Sequence, residues 1–195
     1  MDHQKPSDVL RFEHVELRRW RADDIDALHR LITESRDHLL PWMPFAATHD
    51  RKQGERFLAF AEEQWTTGQA FAYAITSEGH AVGSCGVHRR IGPGGVDLGY
   101  WLHPAWTGRG LATMAAAALV GAARELPGID RVEIHHDEAN PASGAVAARL
   151  GFTEVARVRA PEGPEAPGET GVHVIWRLRT GAGENERVHP ETAAR

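Results

Sequence analysis

The chain has 195 residues, 42% hydrophobic and 25% charged, enough for one core of substantial size. Its 22 basic and 27 acidic residues give a formal charge of −5, without the basic surplus that nucleic-acid binding calls for. The lone Cys85 excludes an internal disulfide, and the twelve histidines show no zinc-like spacing. The first ten residues, MDHQKPSDVL, lack the basic-then-apolar layout of a secretion signal, and no apolar run approaches the ~20 residues of a bilayer span. The expectation is a cytoplasmic protein with no metal, no membrane and no nucleic acid among its partners.

In chain order, HVELRRW (His14 to Trp20) alternates as a strand, and ADDIDALHRLITES (Ala22 to Ser35) sets Ile25, Leu28, Leu31 and Ile32 at helical spacing. HLLPWMPF, with Pro41 and Pro44, predicts an irregular connection. RKQGERFLAFAEEQW (Arg51 to Trp65) returns to helical spacing through Phe57, Leu58, Phe60, Ala61 and Trp65. QAFAYAIT, HAVGSCGVHRR and VDLGYWLH follow as three strands joined by SEG and IGPGG, the composition of tight antiparallel turns. After them come an alanine-rich helix, a strand RVEIHH (Arg131 to His136), a short helix ASGAVAARL (Ala142 to Leu150), and strands FTEVARV and VHVIWRLR (Val172 to Arg179). APEGPEAPGET between the last two strands reads as an exposed loop. The order predicts an α+β fold with a mixed, mostly antiparallel sheet flanked by helices. One domain over residues 1–180 and a polar, disordered tail over 181–195 are expected.

The stretch HPAWTGRGLATMAAAALV concentrates chemistry. Pro104 ends a strand because it cannot donate to a ladder. Gly108, Arg109, Gly110, Leu111 and Ala112 then open a helix whose first N–H groups have no intrahelical partner, an anion site that the helix dipole reinforces. Glycines at 108 and 110 let a phosphate approach the backbone, and Arg109 adds charge. No GxxxxGK[ST] string exists. A Rossmann fingerprint would need Thr113 as its third glycine and a strand running directly into Gly108, where Pro104, Ala105 and Trp106 intervene.

VDLGYWLHPAWTGRGLATMA followed by NPASGAVAARLGF resembles the GCN5-related N-acetyltransferases, and in particular their RimJ/RimL-like branch of protein N-terminal acetyltransferases. The resemblance runs from about Val15 to Arg179 and includes LLPWMPF. It departs from the pattern at Thr107, at Met114 in place of a glutamate, and at Ala147 in place of a tyrosine. It implies acetyl-CoA as donor, with coenzyme A as product, and a strand pair that splays near Pro104. The backbone of Trp101, Leu102 and His103 would line the pantetheine arm as an added strand would, and a Leu102 N–H would face the oxyanion. Thr107, Gly108, Arg109, Gly110, Leu111 and Ala112 would hold the pyrophosphate, and Asn140 matches the asparagine that contacts the cofactor arm. A helix cap or Asx turn before Pro141 is the competing reading of Asn140.

The acceptor amine must lose a proton. By the same resemblance Asp97, three residues before Tyr100, is the first candidate base. His136 is the rival, on the face of Val132 and Ile134, where a histidine is more often a hydrogen-bonded core residue than a base. His88 carries the same ambiguity. Ser143 would protonate the departing thiolate in place of the missing tyrosine, and it would also touch the cofactor. Trp42, Met43, Phe45, Trp65 and the 160–170 loop are expected to wall the acceptor, with ordinary core as the competing reading of the aromatics. Three functions stay open: acetylation of a protein N-terminus, acetylation of a small amine such as an antibiotic, polyamine or amino acid, or a non-catalytic acyl-CoA-binding module. A homodimer is compatible with each.

Overall fold

A computed structural model describes residues 4–180. The predicted tail over 181–195 lies outside the described residues. Two strands, β1 (Val9–Phe12) and β2 (Val15–Arg19), form a hairpin. Only the second is predicted from sequence, because VLRF is too short to display alternation; the turn between them carries Glu13 at φ of 52°. A 3₁₀ turn (Ala22–Asp24) leads into α1 (Ile25–Glu34), where Leu28, Leu31 and Ile32 form the buried stripe. The segment expected to be irregular contains two single-turn helices, α2 (Arg36–Leu39) and α3 (Phe45–Thr48). Asp50 then caps α4 (Arg51–Thr67) by accepting from the Gln53 N–H, and Gly68, left-handed at φ 72°, ends it.

The meander is β3 (Ala70–Ser77), β4 (His80–His88) and β5 (Gly95–Leu102), all antiparallel. Helix α5 (Leu111–Glu125) crosses over to β6 (Arg131–Asp137), so β5 and β6 pair in parallel, as a crossover connection permits. Helix α6 (Pro141–Arg149), β7 (Thr153–Arg159) and β8 (Val172–Arg179) complete one eight-stranded sheet in the order β1-β2-β3-β4-β5-β6-β8-β7. Apart from β5–β6, every pair is antiparallel. This is the α+β, mostly antiparallel arrangement that the order of elements predicts.

Alternation assigns the two faces. On one, Phe71, Tyr73, Val87, Leu98, Val132 and Ile134 meet α5, whose buried Ala115, Ala116, Ala118 and Ala123 let it lie close to the strands. Apolar burial here contributes roughly 25 cal/mol per Å². On the other, Ala72, Ala74 and Trp101 join Trp20 and residues of α1 and α4, namely Leu28, Ile32 and Leu58. Among the described residues no helix is long and apolar enough to cross a membrane.

Candidate active site

The parallel ladder between β5 and β6 stops early. Its register runs from Gly95↔Arg131 to Leu98↔Ile134 and no further, although β6 stays paired with β8 as far as Asp137↔His173. Beyond Leu98 the two strands diverge, and a gap opens in the middle of the sheet. The His103 N–H donates to the Val82 carbonyl at 2.8 Å in register with Gly83↔Leu102. In an antiparallel pair the bonded residues alternate. His103, Trp101 and Gly99 therefore turn their backbone groups toward β4, while Leu102 and Tyr100 turn theirs into the gap. The expectation for Leu102 fits this geometry. Trp101 and His103 are corrected: the backbone of each serves β4, and the Trp101 side chain packs with Trp20 and Leu28. The His103 ring caps the turn at Pro104–Trp106, accepting from the Ala105 N–H at 3.1 Å.

At the far end of the gap, Gly108 and Gly110 both adopt positive φ, 73° and 78°, which a Cβ would strain. Space around Gly108 is open. Gly110 is the N-cap of α5 and supplies no side-chain cap, so the first N–H groups, those of Leu111 and Ala112 among them, stay available to an anion. The Leu111 side chain is itself core. Thr107 Oγ1 donates back to the Pro104 carbonyl at 2.8 Å, and the Arg109 guanidinium lies 4.6 Å from the Trp106 ring centre while donating to the Ala105 carbonyl at 3.0 Å. These contacts shape the turn and keep a cation beside it. An exposed backbone edge leading to an uncapped, glycine-lined helix start suits a pantetheine arm and a pyrophosphate.

A family model for the acetyltransferase (GNAT) domain matches residues 14–153. The chain belongs to the GNAT acetyltransferase family. It is an acetyl-CoA-dependent N-acetyltransferase. Over 150 residues the GNAT domain is 25% identical to the "Putative ribosomal N-acetyltransferase YdaF" of Bacillus subtilis, a match covering 75% of this chain and 82% of that one. Its fold is similar to the ribosomal L7/L12 alpha-N-protein acetyltransferase RimL in complex with coenzyme A, at TM-score 0.80 and 20% identity, over 88% of this chain and 97% of that one. It is also similar to the microcin C7 self-immunity acetyltransferase MccE in complex with acetyl-CoA and AMP, at TM-score 0.77 and 19% identity, over 86% and 93% of the two chains.

Helix α6 flanks the gap on the α5 side. Asn140 is its N-cap, with Oδ1 accepting from the Ser143 N–H at 3.3 Å, and Pro141 occupies the first turn. The Asn140 Nδ2 donors keep their capacity for another partner. The cap belongs to Asn140, which leaves the Ser143 hydroxyl to other work. It lies 3.0 Å from the Tyr100 phenol oxygen. Burial raises the Tyr100 pKa to about 12, against a smaller opposing effect from Ser143. The phenol therefore stays protonated at any working pH.

The two expected bases are both engaged. Asp97 is only 3% exposed, and Arg90 holds both its oxygens, with Nε at 3.0 Å from each and Nη2 at 2.7 Å from Oδ2. His136 faces α6, where a Cβ on Gly144 would come within 2.8 Å of it. Its Nε2 accepts from the Trp176 indole at 3.0 Å, and its Nδ1 lies 2.7 Å from the Asp137 carbonyl. That fixes a neutral tautomer with Nδ1 protonated and Nε2 occupied. Sequence spacing places these residues on the right strands but says nothing of their partners.

The acceptor walls divide. Trp42, Met43 and Phe45 lie between α2 and the start of α3, half-buried or exposed. The loop before β8 meets them there, because the Gly168 N–H donates to the Pro41 carbonyl at 2.9 Å. Trp65 is corrected. It is 3% exposed and packs edge-on against Phe71 and Tyr73 at 5.1 and 5.2 Å, so it is core.

Asp137 escaped sequence reading altogether. Buried at the end of β6, it accepts from the backbone N–H groups of Ala139, Thr170, Gly171 and Val172 and from the Thr170 hydroxyl. Burial pushes its carboxyl up, and the bonds from Thr170, Ala139 and Gly171 more than offset that, holding the pKa at about 2. One side chain thus ties the β6–α6 connection to the end of the loop that enters β8. Its only sequence signal, an Asp closing a strand before EANP, is too common to read.

Proposed function

We propose that this GNAT domain acetylates the α-amine of a protein N-terminus and belongs to the RimJ/RimL-like branch. The observation that carries the reading is the break in the β5–β6 ladder after Leu98, which leaves an extended, unpaired backbone edge in mid-sheet. The similarity to YdaF and RimL supports the acceptor class. So does the loop fastened to Pro41 through Gly168, whose Glu162, Glu165 and Glu169 make it acidic, as suits an ammonium group.

Acetyl-CoA supplies an activated thioester carbonyl. The chain's own residues do the rest. Gly108 to Ala112 hold the pyrophosphate through backbone N–H groups, and Tyr100 and Leu102 offer backbone groups to the arm, with the Leu102 N–H placed to stabilise developing negative charge on oxygen. Asn140 Nδ2 steadies the arm. Ser143, oriented by Tyr100, gives the departing sulfur a proton. Screening N-terminal peptides and small primary amines for thiol release from acetyl-CoA tests the reading. Peptide acetylation is expected. Turnover with a small amine and with no peptide replaces it with a small-molecule acetyltransferase, and acetyl-CoA binding without turnover on any amine leaves a binding module.

A further inference from the structure

With Asp97 and His136 both engaged, the acceptor amine still needs a proton acceptor. We infer that His88 is that base, because its Nε2 stands over the glycine pair at the mouth of the β5–β6 gap, on the sheet face opposite Ser143. The inference rests on acetyl transfer within that gap.

The placement follows from register. Gly86 and Gly99 sit opposite each other on β4 and β5, and His88 sits opposite Asp97. All four share one face. The His88 ring folds back along that face, so that a Cβ on Gly86 would lie 3.3 Å from Nε2 and a Cβ on Gly99 would lie 3.7 Å from it. Gly99 is the first β5 residue past the last parallel pair, Leu98↔Ile134. The imidazole therefore borders the gap where the sheet has no side chain of its own. Glycines there leave room for an amine beside the ring; any larger residue would fill it. Tyr100 and Ser143 occupy the other face. Base and thiol donor thus flank the gap from opposite sides, so that separate groups serve the attacking amine and the leaving sulfur.

The surroundings suit the role. Neither ring nitrogen of His88 is tied into the pairs that hold Asp97 and His136. Burial pulls the His88 pKa below its ordinary value, Asp97 pushes it up and Arg90 pulls it down. On the other side β3 presents only Ala70, opposite His88. One strand further, Glu133 faces Asp97 in register and is itself bonded to His135 and Arg177. The result is an imidazole that is neutral near pH 7 and backed by an acid, while Asp97 acts as a positioning residue. The protons balance. The ammonium gives one to Nε2 and from there to water, and the freed lone pair forms the C–N bond as the C–S bond breaks. Ser143 protonates the sulfur, and the second proton shed by nitrogen restores that one.

The test is kcat against pH with saturating acceptor, measured for His88→Gln, His88→Ala with and without imidazole, and Asp97→Asn. His88→Gln should lose on the order of 10²-fold in kcat with acetyl-CoA affinity unchanged. Imidazole should restore part of the loss in His88→Ala. Asp97→Asn should keep much of the rate while its acidic limb moves to lower pH, since the charge that raises the His88 pKa is gone. Unchanged kcat and acidic limb in His88→Gln, or no imidazole rescue in a His88→Ala variant that still binds acetyl-CoA, overturns the inference. Collapse confined to Asp97→Asn also overturns it and returns the role to the carboxylate. Running each assay with a small primary amine beside the peptide keeps failure of the acceptor reading separate.

Discussion

The phenol oxygen of Tyr100 stands 3.0 Å from Ser143 Oγ and 3.2 Å from the Ser143 carbonyl oxygen, so a side chain of β5 reaches across the open gap to the first turn of α6. Nothing in the spacing of GYW and NPAS implies that contact. It ties the two diverging walls together at the depth where the thioester is proposed to sit.

Ser143→Ala should therefore lower turnover by at least ~10-fold with acetyl-CoA affinity preserved, because Asn140 and not Ser143 caps α6. An acetyl donor with a more acidic thiol should recover most of the rate. Tyr100→Phe should lose less, and adding it to Ser143→Ala should cost almost nothing more, since the partner it orients is gone. Additive losses in the double variant would separate the two side chains.

Gly108 offers a clean test of the pyrophosphate site, because its φ of 73° and open surroundings admit Asn as well as Asp. Gly108→Asn should bind acetyl-CoA nearly as the wild type does. Gly108→Asp, alike in shape and strain, places a like charge at the site and should raise Kd by at least about 10-fold. Titration calorimetry at low salt reads the difference, and equal affinities would remove the anion from this turn.

The pKa of Asp137, held at about 2, makes a statement about acid stability. A carboxyl depressed in the folded state contributes stability that is present above its unfolded pKa near ~3.9 and is lost as pH falls through its folded value. Thermal stability should fall between about pH 4 and pH 2 in the wild type, and Asp137→Ala should flatten that window. At neutral pH the variant should lose about 2 kcal/mol from its hydrogen bonds to a charged group and loosen the loop at Gly168, which a raised KM for acceptor would report.

His49 works in the same sense at a higher pH. Its Nε2 lies 3.2 Å from His29 Nδ1, and burial first, then His29 and Arg36, lower its pKa. The folded state favours the neutral ring, so stability falls as pH drops below the unfolded value of ~6.5. Melting temperature should decline as pH falls below about 6.5, and His49→Gln should reduce that decline. An identical profile in the variant would show that the pair does not couple to folding.

The sequence by itself determined most of the elements and the glycine turn ahead of α5. Period-2 and period-3.6 patterns locate every strand but β1, and the long helices, to within a few residues, because burial on one face is a local property of the chain. Gly108 and Gly110 are legible because positive φ before a helix is a backbone requirement that composition reveals. Tertiary structure alone decided which side chains are free to act. Asp97 and His136 sit on the strands where they were expected, but Arg90 and Trp176 engage them, and those partners come from other parts of the chain. Trp65 shares its helical spacing with a wall residue and proves to be core, since spacing names a face and not what covers it. Where the β5–β6 ladder breaks, and hence where Tyr100, Ser143 and His88 meet the gap, follows from long-range pairing, which no local pattern encodes.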